Sequence, residues 1–217
     1  MNTKNLIIAL LLASGLSGCS TLREKPQLLG FALQNPLAAA ASGTESPHAT
    51  NLTSNAVRFS TRLGLDNSAN GDGRGTEVNA VRHALWQAAI AARFGSRTAE
   101  EVGNAYERRA VLSDSLEYAD RYSADEAVDL RNNAIGRRIG SQHPQHNMQQ
   151  LTALLLAEYH QPGLWTASPH NSSDGRTVWR ITQTTLSEEQ YRQALEKLQT
   201  LDRNGMTAAE RQALSEP

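Results

Sequence analysis

Residues 79–95, NAVRHALWQAAIAARFG, decide how the rest of the chain is read. At 3.6 residues per turn, Asn79, Arg82, His83, Trp86, Ile90 and Arg93 share one helical face. The other side carries Ala80, Val81, Ala84, Leu85, Ala88, Ala91 and Ala92, small or aliphatic groups that let a neighbouring helix come close. Neither side suits water. A helix buried all round with an amide, a guanidinium and an imidazole on one face must find partners for those groups elsewhere in the chain.

The best source of partners is a second helical stretch, AVDLRNNAIGRRIG, where Asp129, Asn132, Asn133, Gly136 and Gly140 repeat the same spacing. Packed face to face, the two helices would set Asp129, Asn132 and Asn133 against Asn79, Arg82 and His83, with Gly136 and Gly140 leaving room for Trp86 or Ile90. Glu107 is the next expected contributor, with Glu117 and Asp120 behind it.

Working outward, Thr53 or Ser54 can cap a helix to about Gly64, and Thr98 with Glu101 forms a capping box for a helix to about Leu112. Ser113 to Tyr122 reads as irregular or as a short turn of helix. Ser123 with Glu126 forms a box opening the amide-bearing helix, which ends where proline enters at His143-Pro144. Leu151, Leu154, Leu155 and Tyr159 stripe another helix, stopped at Pro162-Gly163. A small β-hairpin is expected between Leu164 and Thr185, followed by helices capped by Ser187 with Gln190 and by Thr207 with Glu210. The fold class is mainly α: a single compact domain of six to seven helices with one hairpin.

The 217 residues carry a net charge of -1. Basic and acidic residues are interleaved without a sustained basic run, so nucleic acid is not expected as a partner. Segment 65–77, LDNSANGDGRGTE, spaces Asp66, Ser68, Asn70, Asp72 and Glu77 as the ligands of a helix-loop-helix calcium site, with Gly71 at the sharp turn. Gly73 departs from the aliphatic residue usual after the seventh position, and the same residue types make ordinary turns without metal. Calcium is thus one reading of the loop and a plain turn the other.

The amino end, MNTKNLIIALLLASGLSGCS, has a basic residue, an apolar run too short to span a bilayer, then small residues. Leu16-Ser17-Gly18-Cys19 resembles the bacterial lipoprotein signal, and Cys19 is the single cysteine of the chain. The resemblance implies cleavage before Cys19, lipidation of Cys19, and, with Ser20 next, residence at the outer membrane with the body facing the periplasm. Loss of a leader holding only Lys4 as a charged side chain takes the net charge from -1 to -2. The expected division is a signal peptide over 1–18, a lipidated tether over 19–50 with at most one helical turn near Leu28 to Leu33, and a helical domain over 51–217 with its motif core at 79–140.

NAVRHALWQAAIAARFG, then GNAYE, then DLRNNAIGRRIG, together resemble an uncharacterised helical bacterial domain. That domain occurs at the carboxyl ends of large polymorphic-toxin-like proteins and in small secreted or lipid-anchored ones. The resemblance carries its pattern onto Asn79, Arg82, His83, Trp86, Glu107, Asp129, Asn132, Asn133 and Gly136. Tyr106 departs from it, standing where a histidine is common.

Two readings of the polar centre follow. In one, it is a buried network that fixes helix register, with Asn79, Trp86 and Gly136 as structural partners, in an envelope-associated binding or structural module. In the alternative, the body is an envelope hydrolase acting on phospholipid, phosphodiester or peptidoglycan. His83 would be base or nucleophile, Glu107 or Asp129 would orient it, and Arg82, Asn132 and Asn133 would steady an anion. No serine elbow and no HExxH motif is present, and His143, His146, His160 and His170 show no zinc-ligand spacing with His83.

Overall fold

A computed structural model describes residues 26–43, 50–68, 73–107, 111–172 and 175–215. The leader, Cys19 and the loop positions Asn70 and Asp72 lie outside the described residues. Among those described, nine helices and three strands follow in the order α1 (Pro26–Gln34), α2 (Pro36–Ser42), α3 (Leu52–Arg62), α4 (Glu77–Phe94), α5 (Ser96–Tyr106), β1 (Glu117–Tyr118), α6 (Arg121–Gln142), α7 (Met148–His160), β2 (Leu164–Asn171), β3 (Thr177–Thr184), α8 (Glu188–Gln199) and α9 (Ala208–Ser215). The protein is mainly helical, with a small antiparallel sheet. Seven of the helices are those expected from the sequence. The other two, α1 and α2, come from the segment read as a tether: Phe31 and Ala38 are buried there against Ile90, Ala91, Ala99 and Val102. Their apolar side chains recruit this part of the chain to the folded body.

Helix α4 occupies the centre, contacting α3, α5, α6 and α7. The Thr76 hydroxyl accepts from the Asn79 amide to start it, and Gly95, at φ 89°, ends it. Its far side packs into the main core with Phe59 of α3, Leu63 just after it, Ile139 of α6, and Leu151, Leu155 and Tyr159 of α7. Each large apolar side chain buried there contributes roughly 1.5–3 kcal/mol.

The partner helix α6 lies parallel to α4. Asn79 meets Asp125 and Asp129, Ala84 meets Gly136, and Ala88 meets Gly140. A Cβ at Gly136 would stand 2.0 Å from the Ala84 carbonyl oxygen, and one at Gly140 would stand 2.1 Å from that of Ala88. The two glycines weaken the helix by about 1 kcal/mol each relative to alanine. In exchange the two backbones touch. This corrects the expectation that Trp86 or Ile90 would fill the glycine notch. The contact line drifts from Asn79 and His83 toward Ala84 and Ala88, leaving Ile90 against Phe31 and Val102 and Trp86 against Tyr106.

Several helix starts also differ from their sequence signals. Asn51 caps α3 by accepting from the Ser54 amide, Asp120 caps α6 by accepting from that of Ser123, and α5 begins at Ser96 without a side-chain cap. Helix α5 stops at Tyr106, short of the expected Leu112. Glu117, expected near the centre, instead pairs with Arg180 across β1 and β3, and Asp120 is spent on its cap. The boxes at Ser187 with Gln190 and at Thr207 with Glu210 form as expected. The hairpin forms too, β2 pairing β3 from Leu164 opposite Thr184 to Asn171 opposite Thr177, with β1 added to give the order β1-β3-β2. The sheet sets Ala167 and Ile181 against Ala124 and Val128 of α6. Among the described residues, no helix is long and apolar enough to cross a membrane.

Candidate functional site

Three elements bring the centre together. Helix α4 supplies Asn79, Arg82 and His83, the end of α5 supplies Tyr106 and Glu107, and α6 supplies Asp125, Asp129, Asn132 and Asn133. The Asn79 Nδ2 group donates to Asp129 Oδ1 at 2.7 Å and to Asp125 Oδ1 at 3.1 Å, while its Oδ1 accepts from Arg82. That leaves the second Asp129 oxygen, Oδ2, facing His83 Nε2 at 3.4 Å. One ring nitrogen of His83, an Asp129 oxygen and a Glu107 carboxylate oxygen all lie within 4.8 Å of one another.

The centre is deep but has an edge. His83 is 7% exposed and Asp129 4%, whereas Glu107 is half-buried and Tyr106 is 39% exposed. The Tyr106 ring packs edge-on against both His83, at 6.3 Å, and Trp86, at 5.9 Å. Tyr106 therefore forms an aromatic wall beside the imidazole.

Electrostatics oppose a fully ionised cluster. Burial holds the Asp129 carboxyl well above the usual carboxylate range, and the Asp125 and Glu107 carboxylates push it further. Arg82 and the Asn79 amide act in the opposite sense. Burial also raises Asp125, although Arg74 Nη1 donates to it at 3.0 Å and the Gly75 amide at 2.9 Å.

Not every predicted residue serves the centre. Asn132 donates from Nδ2 to the Trp165 carbonyl at 2.8 Å and accepts from the Trp165 amide at 2.9 Å. Its side chain is committed to holding β2, so it is not available to steady an anion. Asn133 is fully buried, and neither atom of its carboxamide has a hydrogen-bond partner among the described residues. Sequence reasoning missed Asp125 and Arg74, although Asp125 precedes Asp129 by four residues and so shares its face. His160 stacks on Tyr191 and bonds the Leu186 carbonyl, and His143 pairs with His146 beyond α6, so these histidines do not join His83. In the candidate calcium loop, Asp66 Oδ1 accepts from Ser68, and Glu77 Oε2 accepts from the Asp66 amide.

The fold and the centre together define a helical domain with an imidazole-carboxylate cluster held between two touching helices. Residues 37–162 match the family described as Domain of unknown function (DUF6973), and the chain belongs to that family. The match takes in all of α2 but its first residue, and every residue of the centre. No curated protein and no solved structure matches the chain.

Proposed function

We propose that the protein is a lipoprotein anchored through Cys19 at the periplasmic side of the outer membrane, and that its helical body hydrolyses an envelope substrate at His83, Glu107 and Asp129. The observation that carries the hydrolase reading is the convergence of one imidazole and the carboxylates of Asp125, Asp129 and Glu107, drawn from α4, α5 and α6. A network meant only to fix register balances its charges, whereas Asp129 here faces two other carboxylates that outweigh Arg82 beside it. Crowding carboxylates in a buried place costs stability, and such arrangements concentrate where chemistry is done.

In this reading the imidazole and the carboxylates together activate and orient a water for attack on an ester, a phosphodiester or a peptidoglycan bond. Arg82, fixed by Asn79, supplies positive charge beside it. Tyr106 and Glu107 form the edge at which substrate enters.

A screen of the full-length protein in detergent micelles against phospholipids, phosphodiesters and peptidoglycan tests this. The expected result is a hydrolytic activity that His83→Gln removes while its melting temperature, compared after chelator treatment of both proteins, stays close to the parent's. Cys19→Ser should release the protein from the outer-membrane fraction. The low exposure of His83 and Asp129 favours a second reading, a binding or structural module. It expects no activity in the screen and a loss of about 1 to 3 kcal/mol in His83→Gln.

A further inference from the structure

We propose that the His83 imidazole, one oxygen of Glu107 and one oxygen of Asp129 hold a divalent transition cation of the zinc or manganese type. The binding stands on geometry alone. Only the cation's use in hydrolysis rests on the reading above.

Metal–ligand bonds of about 2.1 Å put neighbouring ligand atoms roughly 3.0 to 3.5 Å apart. The 3.4 Å between His83 Nε2 and Asp129 Oδ2 already has that spacing. Glu107, at the end of α5 and half-buried, can close the remaining gap within the 4.8 Å span by a side-chain rotation. One imidazole nitrogen with two carboxylate oxygens is a mixed donor set that suits zinc or manganese better than an all-oxygen ion such as calcium.

The surroundings are prepared in the same sense. Asn79 holds Asp129 Oδ1 at 2.7 Å, which orients the other oxygen toward the imidazole, and Arg82 holds Asn79 in turn. Such outer partners commonly fix the ligands of metal centres. A second, independent observation is Asn133. Because α4 and α6 run parallel with Asn79 at Asp129 and Ala84 at Gly136, Asn133, four residues past Asp129, stands at the level of His83, four residues past Asn79. Its carboxamide is fully buried and makes no hydrogen bond among the described residues. A buried amide left without a partner at that level is a group that a bound ligand's oxygen would satisfy.

The test uses full-length protein in detergent, stripped with chelator and titrated with zinc or manganese chloride by calorimetry, with bound metal counted after dialysis. The expected result is one equivalent retained, a rise in melting temperature on reloading, and at least tenfold weaker binding in Glu107→Gln. That variant is the chosen probe because Glu107 sits at a helix end and half-exposed, so the fold should survive its change. His83→Gln and Asp129→Asn should lose binding as well. Asp66→Asn should bind zinc like the parent, which separates this site from the candidate calcium loop. Absence of retained metal in the parent, or parental affinity in Glu107→Gln, would overturn the proposal. Metal bound without any turnover leaves the site standing and removes the hydrolase reading. Turnover that persists in chelator-stripped protein keeps the hydrolase reading and removes the cation's use in hydrolysis, while the binding titration alone decides the site.

Discussion

Replacing Gly136 by alanine adds a single methyl group, and the structure makes its cost large. The new Cβ would lie 2.0 Å from the Ala84 carbonyl oxygen, whereas real contacts of this kind essentially never fall below 3.0 Å. The helices must therefore part by at least about 1 Å at that level, since both sides of the contact are backbone and no rotamer change relieves it. Overpacking of this sort costs typically 1–3 kcal/mol, and the absence of a flexible partner puts Gly136→Ala at the upper end. Alanine returns about 1 kcal/mol through its better helix propensity. The net expectation is a loss of about 2 kcal/mol, which for a domain of this size lowers the melting temperature by roughly 4–8 °C. Urea denaturation followed by circular dichroism measures it, with Gly30→Ala as the control. Gly30 lies inside α1, and a methyl group added there would meet nothing within 4 Å, so alanine should leave stability unchanged or raise it by up to about 1 kcal/mol. A Gly136→Ala protein as stable as the parent would refute the claim that α4 and α6 touch through backbone.

Two further outcomes follow from other contacts. Asn132→Ala removes both hydrogen bonds to Trp165 and strands that residue's backbone N–H and C=O, so a loss of about 2–4 kcal/mol is expected, with faster hydrogen exchange at the Trp165 amide. Glu210 is pushed down to about 2 chiefly by its paired hydrogen bonds from Arg62, with the Thr207 amide and hydroxyl adding to them. A depressed carboxylate stabilises above its unfolded value and loses that contribution as pH falls, here between about pH 4.5 and 2. The pair is partly exposed, so its worth is at most about 1 kcal/mol. The difference in stability between the parent and Glu210→Gln should shrink across that window; a difference that stays constant would contradict the assignment.

Much of this arrangement is legible in the sequence. The alanine-rich stretch at 79–95 and the spacing of Asp129, Asn132, Asn133 and Gly136 identify the two helices that meet, because burial on all sides leaves a clear compositional trace. The rotation between them is not legible. Polar spacing points to the face carrying Trp86 and Ile90, whereas close approach selects the smallest residues, Ala84 and Ala88, which carry no chemical label. The same limit applies to Asn132 and Asn133, adjacent amides with different surroundings: one ties down a strand that begins 32 residues later, and sequence spacing does not encode so distant a partner. Of α1 only a turn near Leu28 to Leu33 is legible and α2 not at all, because three prolines and an alanine run resemble a spacer until Phe31 is seen against Ile90 and Val102.

On the lipid-anchor reading, the early start of the folded body sets how far it can stand from the membrane. Only six residues separate Cys19 from Pro26, the first residue of α1. Even fully drawn out, such a leash measures little more than about 20 Å. Such a leash would hold the start of α1 within that distance of the leaflet, so the body would work beside the membrane rather than range across the periplasm.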